Sequence, residues 1–209
     1  MSSSLLLIVA ALVLVVALVA LVAALVAVAV ARRRAAGPVA PAPQDPFADR
    51  DHDALRGDPR ALKPGDLVEI RSHTYAVRGT LRFDEGGWHW AEHLLDDAHG
   101  DKIWLSVEED PDLELALWRE VRQATVAPGA KTVDFDGRSY ASDESGRATY
   151  TSTGSTGLAT TGTMRYHDYE ARDGALLSFE RFGESEQWEV GRGDKLQRYE
   201  VQIFPQATA

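Results

Sequence analysis

The most pronounced pattern in the chain is a continuous hydrophobic stretch near its start. Residues 5–31 contain no charged or strongly polar side chain. As a helix, this stretch would be about 40 Å long, which exceeds the roughly 30 Å hydrocarbon core of a bilayer. A cleavable signal peptide would need a basic start and a shorter apolar run, whereas here three arginines follow a long run. The pattern therefore predicts a single transmembrane helix over residues 5–31.

The charges that flank this stretch predict its orientation. Arg32, Arg33 and Arg34 follow it directly, and no Lys or Arg precedes it. Positively charged flanks stay on the cytoplasmic side of a membrane. We therefore expect a single-pass protein of the cell membrane, with its N-terminus outside and its main domain in the cytoplasm.

The rest of the chain divides into a linker and one β-rich domain. Residues 32–61 form a basic stub and then a segment of Pro, Ala and acidic residues, with too few large apolar side chains to order itself. Residues 62–205 contain short alternating segments separated by turn signals such as Asp136-Gly137, which is typical of antiparallel strands. Leu113–Val121 fits either a helix or a strand, and we favour a strand.

Two parts of this domain, about residues 62–122 and 131–205, resemble each other. A repeat near 70 residues is too long for a solenoid and indicates duplication of a β-meander, although hairpins of similar composition could also look alike. The pattern predicts a mainly β fold in which two similar antiparallel halves form one barrel- or sandwich-like domain. The matched positions are Ser106–Asp110 with Ser178–Phe182, Trp118 with Trp188, and Tyr75 with Tyr140.

The charge of the chain narrows the classes of partner. Without the three arginines after the apolar stretch, 19 Lys and Arg remain against 32 Asp and Glu, a net charge of −13. Nucleic acid is disfavoured because phosphate contacts require a basic face. Partners should be neutral, cationic or proteins, unless the negative charge only maintains solubility. The chain has no cysteine, which excludes thiol chemistry.

One short motif resembles a metal site. His89, Glu92 and His93 spell H-x-x-E-H, the inverted signature of a zinc protease, which requires a helix. The turn signal at Gly86-Gly87 and the alternation of large residues after it favour a strand instead. On a strand, His89 and His93 share one face and Glu92 lies on the other. We therefore expect no metal and no cofactor.

The tryptophans and one acid offer a more plausible binding site. The chain has five Trp, and indole rings are enriched in interfaces and ligand clefts. We favour a core position for these tryptophans, because that is the commoner fate of large apolar side chains, and a binding face is the alternative. Glu92 lies among them on the same predicted strand face, and a partly buried carboxylate requires a partner or a raised pKa. It could pair with Arg78 or Arg82, or bind an amine whose charge also faces an indole.

The segment from Gly65 onwards contains a series of spaced motifs: Tyr75-x-Val77-x-Gly79, Trp90-x-Glu92-x-x-Leu95, Gly100, Trp104-Leu105, Asp136-Gly137-x-x-Tyr140, Ser178-x-Glu180-x-Phe182 and Trp188-Glu189-Val190. Through these motifs it is similar to domain-of-unknown-function family 4178, an uncharacterised bacterial family. The resemblance covers about residues 62–205 and implies an N-terminal membrane segment, a Pro/Ala linker and a β domain. It also implies a setting of envelope stress, with genes for polyamine-synthase-like enzymes nearby.

These observations favour a membrane-tethered cytoplasmic binding module over an enzyme. The expected partner is a protein or a small cationic ligand such as a polyamine, while the oligomeric state stays open. The alternatives are a hydrolase that uses Glu92 and Glu108, and a structural scaffold of a membrane complex. The residues expected to bind the ligand or partner are Trp90, Glu92, Trp104, Glu180 and Trp188.

Overall fold

A computed structural model describes residues 53, 55–98 and 100–207 of the chain. Most of these residues lie in strands, and two single-turn 3-10 helices lie at Pro59–Ala61 and Arg198–Glu200. Within the described residues the strands are β1 (Leu67–Ile70), β2 (His73–Glu85), β3 (Trp88–Asp96), β4 (Ile103–Glu109), β5 (Leu113–Glu120), β6 (Thr132–Phe135), β7 (Arg138–Gly154), β8 (Thr161–Ala171), β9 (Ala175–Phe182), β10 (Glu189–Leu196) and β11 (Val201–Phe204).

Eight of these strands close into an antiparallel barrel in the order β2-β3-β4-β5-β10-β9-β8-β7. The ring closes where Gly79–Asp84 of β2 pairs with Thr149–Gly154 of β7. The beginning of β2 pairs with β1 instead, and β1 in turn pairs with β11. Similarly, the beginning of β7 pairs with β6. The two longest strands thus belong to the barrel at one end and to a small outer sheet at the other.

Alternation along the barrel strands separates an outer apolar face from an inner mixed face. In β4, Ile103, Leu105 and Val107 are buried on the outer side, where they pack with residues of β1, β2 and β11. A second outer cluster forms between β6, β7 and the strands β8 to β10. A third cluster, which includes Phe83 and Tyr166, fills the β2, β7 and β8 side of the interior. The outer sheets therefore cover the apolar outer surface of the barrel. Because much of the apolar core lies there, the remaining part of the interior can hold polar side chains.

The strand order repeats along the chain. A short strand, a long strand and three further strands occur as β1 to β5 and again as β6 to β10. In the first hairpin Val68 pairs with Tyr75, and in the second Val133 pairs with Tyr140. The segment beginning at Leu113 is strand β5. Between the two halves, the connection after β5 is tied to β8, because the Tyr169 hydroxyl contacts its backbone.

The predicted fold class requires a correction. The domain is mainly β, but its architecture is an eight-stranded closed barrel with extra strands, and the predicted transmembrane helix is not part of it. Among the residues that the structure describes, no helix is long and apolar enough to span a membrane. The predicted span, residues 5–31, lies outside the described residues, as does most of the predicted linker, residues 32–61.

Candidate functional site

The candidate site is the lumen of the barrel. Its central cleft spans about 510 Å³, a volume that includes solvent-open space, and it adjoins similarly open clefts of about 450 Å³ towards one end and about 960 Å³ towards the other. Trp118 of β5 lines all three. The other residues that line the central cleft are Trp88, Trp90, Glu92, Ser106, Glu108, Glu144, Met164, Tyr166, Asp168, Ser178 and Glu180.

The lumen contains the same arrangement of acids twice. On β3 and β4, Glu92 lies opposite Ser106, and Trp90 lies opposite Glu108. The equivalent positions on β8 and β9 place Asp168 opposite Ser178, and Tyr166 opposite Glu180. Each half of the chain therefore supplies an aromatic-x-acid strand beside a Ser-x-Glu strand. Because β3 and β9 face each other across the ring of strands, acids from the two halves meet in the lumen.

Glu92 and Glu180 form a carboxyl pair across the lumen. Their side chains are hydrogen-bonded to each other, and Trp90 Nε1 lies 3.4 Å from Glu92 Oε1. Burial raises the pKa of Glu92 to about 7, and the charge of Asp168 adds to this effect. Burial and the charge of Glu92 raise the pKa of Glu180 well above its ordinary value. Glu180 is therefore the protonated partner, and its O–H donates to Glu92.

Asp168 and Glu108 are the symmetry-related acids. Burial raises the pKa of Asp168 to about 7, although its hydrogen bond with Ser178 opposes the shift, and Glu144, Asp143 and Glu108 contribute negative charge. Asp168 Oδ1 is buried, and no group among the described residues forms a hydrogen bond with it. Burial also raises the pKa of Glu108, which accepts a hydrogen bond from Trp88 Nε1 at 2.6 Å.

Two basic side chains at the ends of the lumen neutralise other acids. Lys102, at one end of the lumen, lies 3.5 Å from Glu120 and 3.6 Å from Glu189. Lys195, at the other end, lies 2.9 Å from Glu170. In the part of the chain that the structure describes, the ion pairs do not include Glu92, Glu108, Asp168 or Glu180. A group of acids without a cation thus occupies the middle of the barrel.

Of the residues expected to bind a ligand, four line the lumen and one does not. Trp90, Glu92, Trp104 and Glu180 face the central or adjoining cleft. Trp188 precedes β10 and packs outside the lumen, 4.8 Å from the Arg181 guanidinium and 5.4 Å from the His167 ring.

The two suggested partners of Glu92 are also engaged elsewhere. Arg78 pairs with Asp96 at 2.9 Å, and Arg82 donates a hydrogen bond to the Leu62 carbonyl. Sequence reasoning did not identify Asp168, Ser106, Ser178 or Trp118 as site residues. The repeated Ser-x-Glu motif on β4 and β9 was the signal that could have led to them.

The H-x-x-E-H residues lie on strand β3, which separates them. Glu92 faces the lumen, whereas His93 is buried on the opposite face, with its Nδ1 2.9 Å from Thr80 Oγ1. Burial lowers the pKa of His93 to about 3. His89 is exposed and lies 3.9 Å from Asp84. No group of three or more potential ligands among the described residues could hold a metal ion.

Comparisons with known proteins place this barrel among uncharacterised relatives. A family model described as a domain of unknown function, DUF4178, matches residues 63–198. Uncharacterised proteins of Mycobacterium bovis (strain ATCC BAA-935 / AF2122/97) and of Mycobacterium tuberculosis (strains CDC 1551 / Oshkosh and ATCC 25618 / H37Rv) are each 39% identical over 185 residues, covering 84% of this chain and 87% of the relative. No solved structure matches the chain.

Proposed function

The chain belongs to the domain-of-unknown-function family DUF4178, and because that description assigns no activity, we propose a function from the lumen: the barrel is a binding module for a small organic cation. The observation that carries the proposal is the group of four carboxyls, Glu92, Glu108, Asp168 and Glu180, which burial has forced towards their neutral forms. Buried acids normally have a paired cation or a full set of hydrogen-bond donors. In this lumen, a bound ammonium ligand can supply both the positive charge and the hydrogen-bond donors.

The tryptophans around these acids support an organic cation over a simple ion. An ammonium group is attracted by the face of an indole ring as well as by a carboxylate, and the hydrocarbon part of such a ligand gains from contact with aromatic walls. Trp90, Trp104 and Trp118 line the clefts that contain the acids. A polyamine, which combines ammonium groups with methylene segments, is the ligand class with this chemistry.

A hydrolase is a less suitable interpretation of the same acids. Acid–base catalysis by two carboxyls requires environments that push their pKa values apart, so that one stays ionised while the other is protonated. Burial raises the pKa of both Glu92 and Glu108, the two acids considered for this role, so neither environment favours the ionised carboxylate that such a pair needs. The pattern is that of acids that lack a counter-ion, which favours binding over catalysis.

Isothermal titration of spermidine into the purified full chain tests the proposal. We expect heat of binding with the wild type and an affinity about 10- to 100-fold lower for Glu92→Gln, since a hydrogen bond to a charged group contributes roughly 1.5–3 kcal/mol. Glu186→Gln, in an exposed loop outside the lumen, is the matched control and should bind like the wild type. Heat indistinguishable from buffer dilution with the wild type would show that the lumen does not take such cations.

A further inference from the structure

The duplicated acids form two carboxyl pairs that differ in one respect. Glu92 and Glu180 are hydrogen-bonded to each other. The pair related to them by the internal repeat is Asp168 with Glu108, since Glu92 and Asp168 each lie opposite a serine, and Glu108 and Glu180 each lie opposite an aromatic residue. The charge of Glu108 acts on Asp168, and both line the cleft that opens at the wider end of the lumen.

The pair of Asp168 and Glu108 differs from the pair of Glu92 and Glu180 because one of its carboxyl oxygens has no hydrogen-bond donor within the described part of the chain. Glu92 has donors in Trp90 and Glu180. Asp168 has a hydrogen bond with Ser178, but its Oδ1 is buried and has no donor among the residues that the structure describes. A buried acceptor without a donor is costly and requires an explanation. A carboxylate oxygen in this position, close to a second carboxyl, suits the N–H groups of an ammonium ion.

We propose that Asp168 and Glu108 form a second cation site, so that the lumen takes a linear molecule with an ammonium group at each end. This inference rests on the proposed function, and it adds the number of cationic centres and their positions. One ammonium group binds between Asp168 and Glu108, where it donates to the free oxygen of Asp168. The other enters between Glu92 and Glu180, and the proton that the two carboxyls share leaves to solvent as the ammonium replaces it.

Trp118 and the serines fit a ligand that extends from one pair to the other. Trp118 lines the central cleft and both adjoining clefts, so its ring lies along the path between the pairs. Its Nε1 donates to Ser106 Oγ at 3.0 Å, which fixes the ring in place. A methylene chain between two ammonium groups has this indole as an apolar wall.

A titration series separates this inference from the function on which it rests. The ligands are n-butylamine, which has one ammonium group, and α,ω-diaminoalkanes of increasing chain length, each titrated into the full chain. We expect one chain length to bind best and to exceed butylamine by more than about tenfold, because the second ammonium binds as an intramolecular event. Non-specific attraction to an acidic protein would give no optimum in chain length.

Two variants then locate the sites. Asp168→Asn and Glu92→Gln should each reduce the diamine's advantage over butylamine to about twofold or less, whereas Glu186→Gln should keep it. The near-ultraviolet circular dichroism of the tryptophans reports whether each variant retains the packed lumen. If butylamine and every diamine bind equally to the wild type, or if Asp168→Asn keeps the full advantage, the two-site inference is wrong while the cation proposal stands. If no amine binds, the proposed function itself is wrong.

Discussion

At the scale of single residues, the lumen depends on how Trp118 packs against β10. Gly191 and Gly193 lie on the inner face of β10, beside the indole ring. A Cβ atom at Gly193 would lie 2.5 Å from Trp118 Cε3, whereas one at Gly191 would lie 3.5 Å from the same atom. The first distance is a clash and the second is an ordinary contact. The indole ring of Trp118 therefore occupies the space that a side chain at position 193 would fill.

This difference predicts opposite outcomes for two similar substitutions. Gly193→Ala should displace Trp118, break its hydrogen bond to Ser106 and lower the free energy of unfolding by about 1–3 kcal/mol, the usual cost of overpacking. Gly191→Ala should change it by less than about 0.5 kcal/mol. Urea unfolding followed by tryptophan fluorescence measures both. Equal midpoints for the two variants would contradict the proposed packing of Trp118.

At the scale of elements, local alternation was sufficient to place residues on a face but not to bring strands together. The pattern around Trp88 predicted correctly that Glu92 lies on the face opposite His89 and His93, because side chains alternate along any strand. Trp188, which was expected beside these residues, does not line the lumen. It lies just before β10 begins at Glu189, so no strand alternation directs its side chain to the lumen.

The contact between Glu92 and Glu180 could not have been derived from either strand alone. This contact depends on the closure of the ring of eight strands. The first residues of β2 pair with β1, and from Gly79 onwards β2 pairs with β7 instead. That exchange joins residues about 70 positions apart along the chain. Local patterns carry no information on such a pairing, which is why a barrel and a sandwich were equally compatible with the sequence.

The connection between the two halves offers a test at this scale. The buried ring of Tyr169 on β8 places its hydroxyl where it accepts a hydrogen bond from the Gly129 N–H at 2.8 Å and donates one to the Ala130 carbonyl at 3.1 Å. Tyr169→Phe should therefore lower the free energy of unfolding by about 1–2 kcal/mol. Tyr199→Phe, at a side chain that is 62% exposed, is the control and should have little effect. An unchanged urea midpoint for Tyr169→Phe would mean that the connection is not held by this hydroxyl.

At the scale of the whole molecule, the barrel excludes water from ionisable groups of both kinds, and these respond oppositely to pH. The lumen acids Glu92 and Asp168 have folded-state pKa values of about 7, above their unfolded values. Their contribution to stability is complete at low pH and is lost as the pH rises through about 7. His93 has a folded-state pKa of about 3, below its unfolded value, so its contribution is complete above about pH 6.5 and is lost as the pH falls. Of these three groups, only the two acids still titrate above about pH 6.5.

The free energy of unfolding should therefore decrease between about pH 6.5 and pH 8.5, and Asp168→Asn should reduce this decrease. The substitution removes a group that folding keeps protonated. Between the lower and the upper pH, the free energy of unfolding of the variant should therefore rise relative to that of the wild type by on the order of 1 kcal/mol, after allowance for the partial exposure of Asp168 to solvent. Urea unfolding at a series of pH values measures the effect, with Glu186→Gln expected to follow the wild type. With a saturating diamine, the free energy of unfolding should instead increase between about pH 6.5 and pH 8.5. An ammonium group stabilises the ionised acids and binds more tightly as they lose their protons. A wild-type stability that rises across this range without any ligand would mean that the lumen acids are not desolvated, and the proposed cation sites would lose their physical basis.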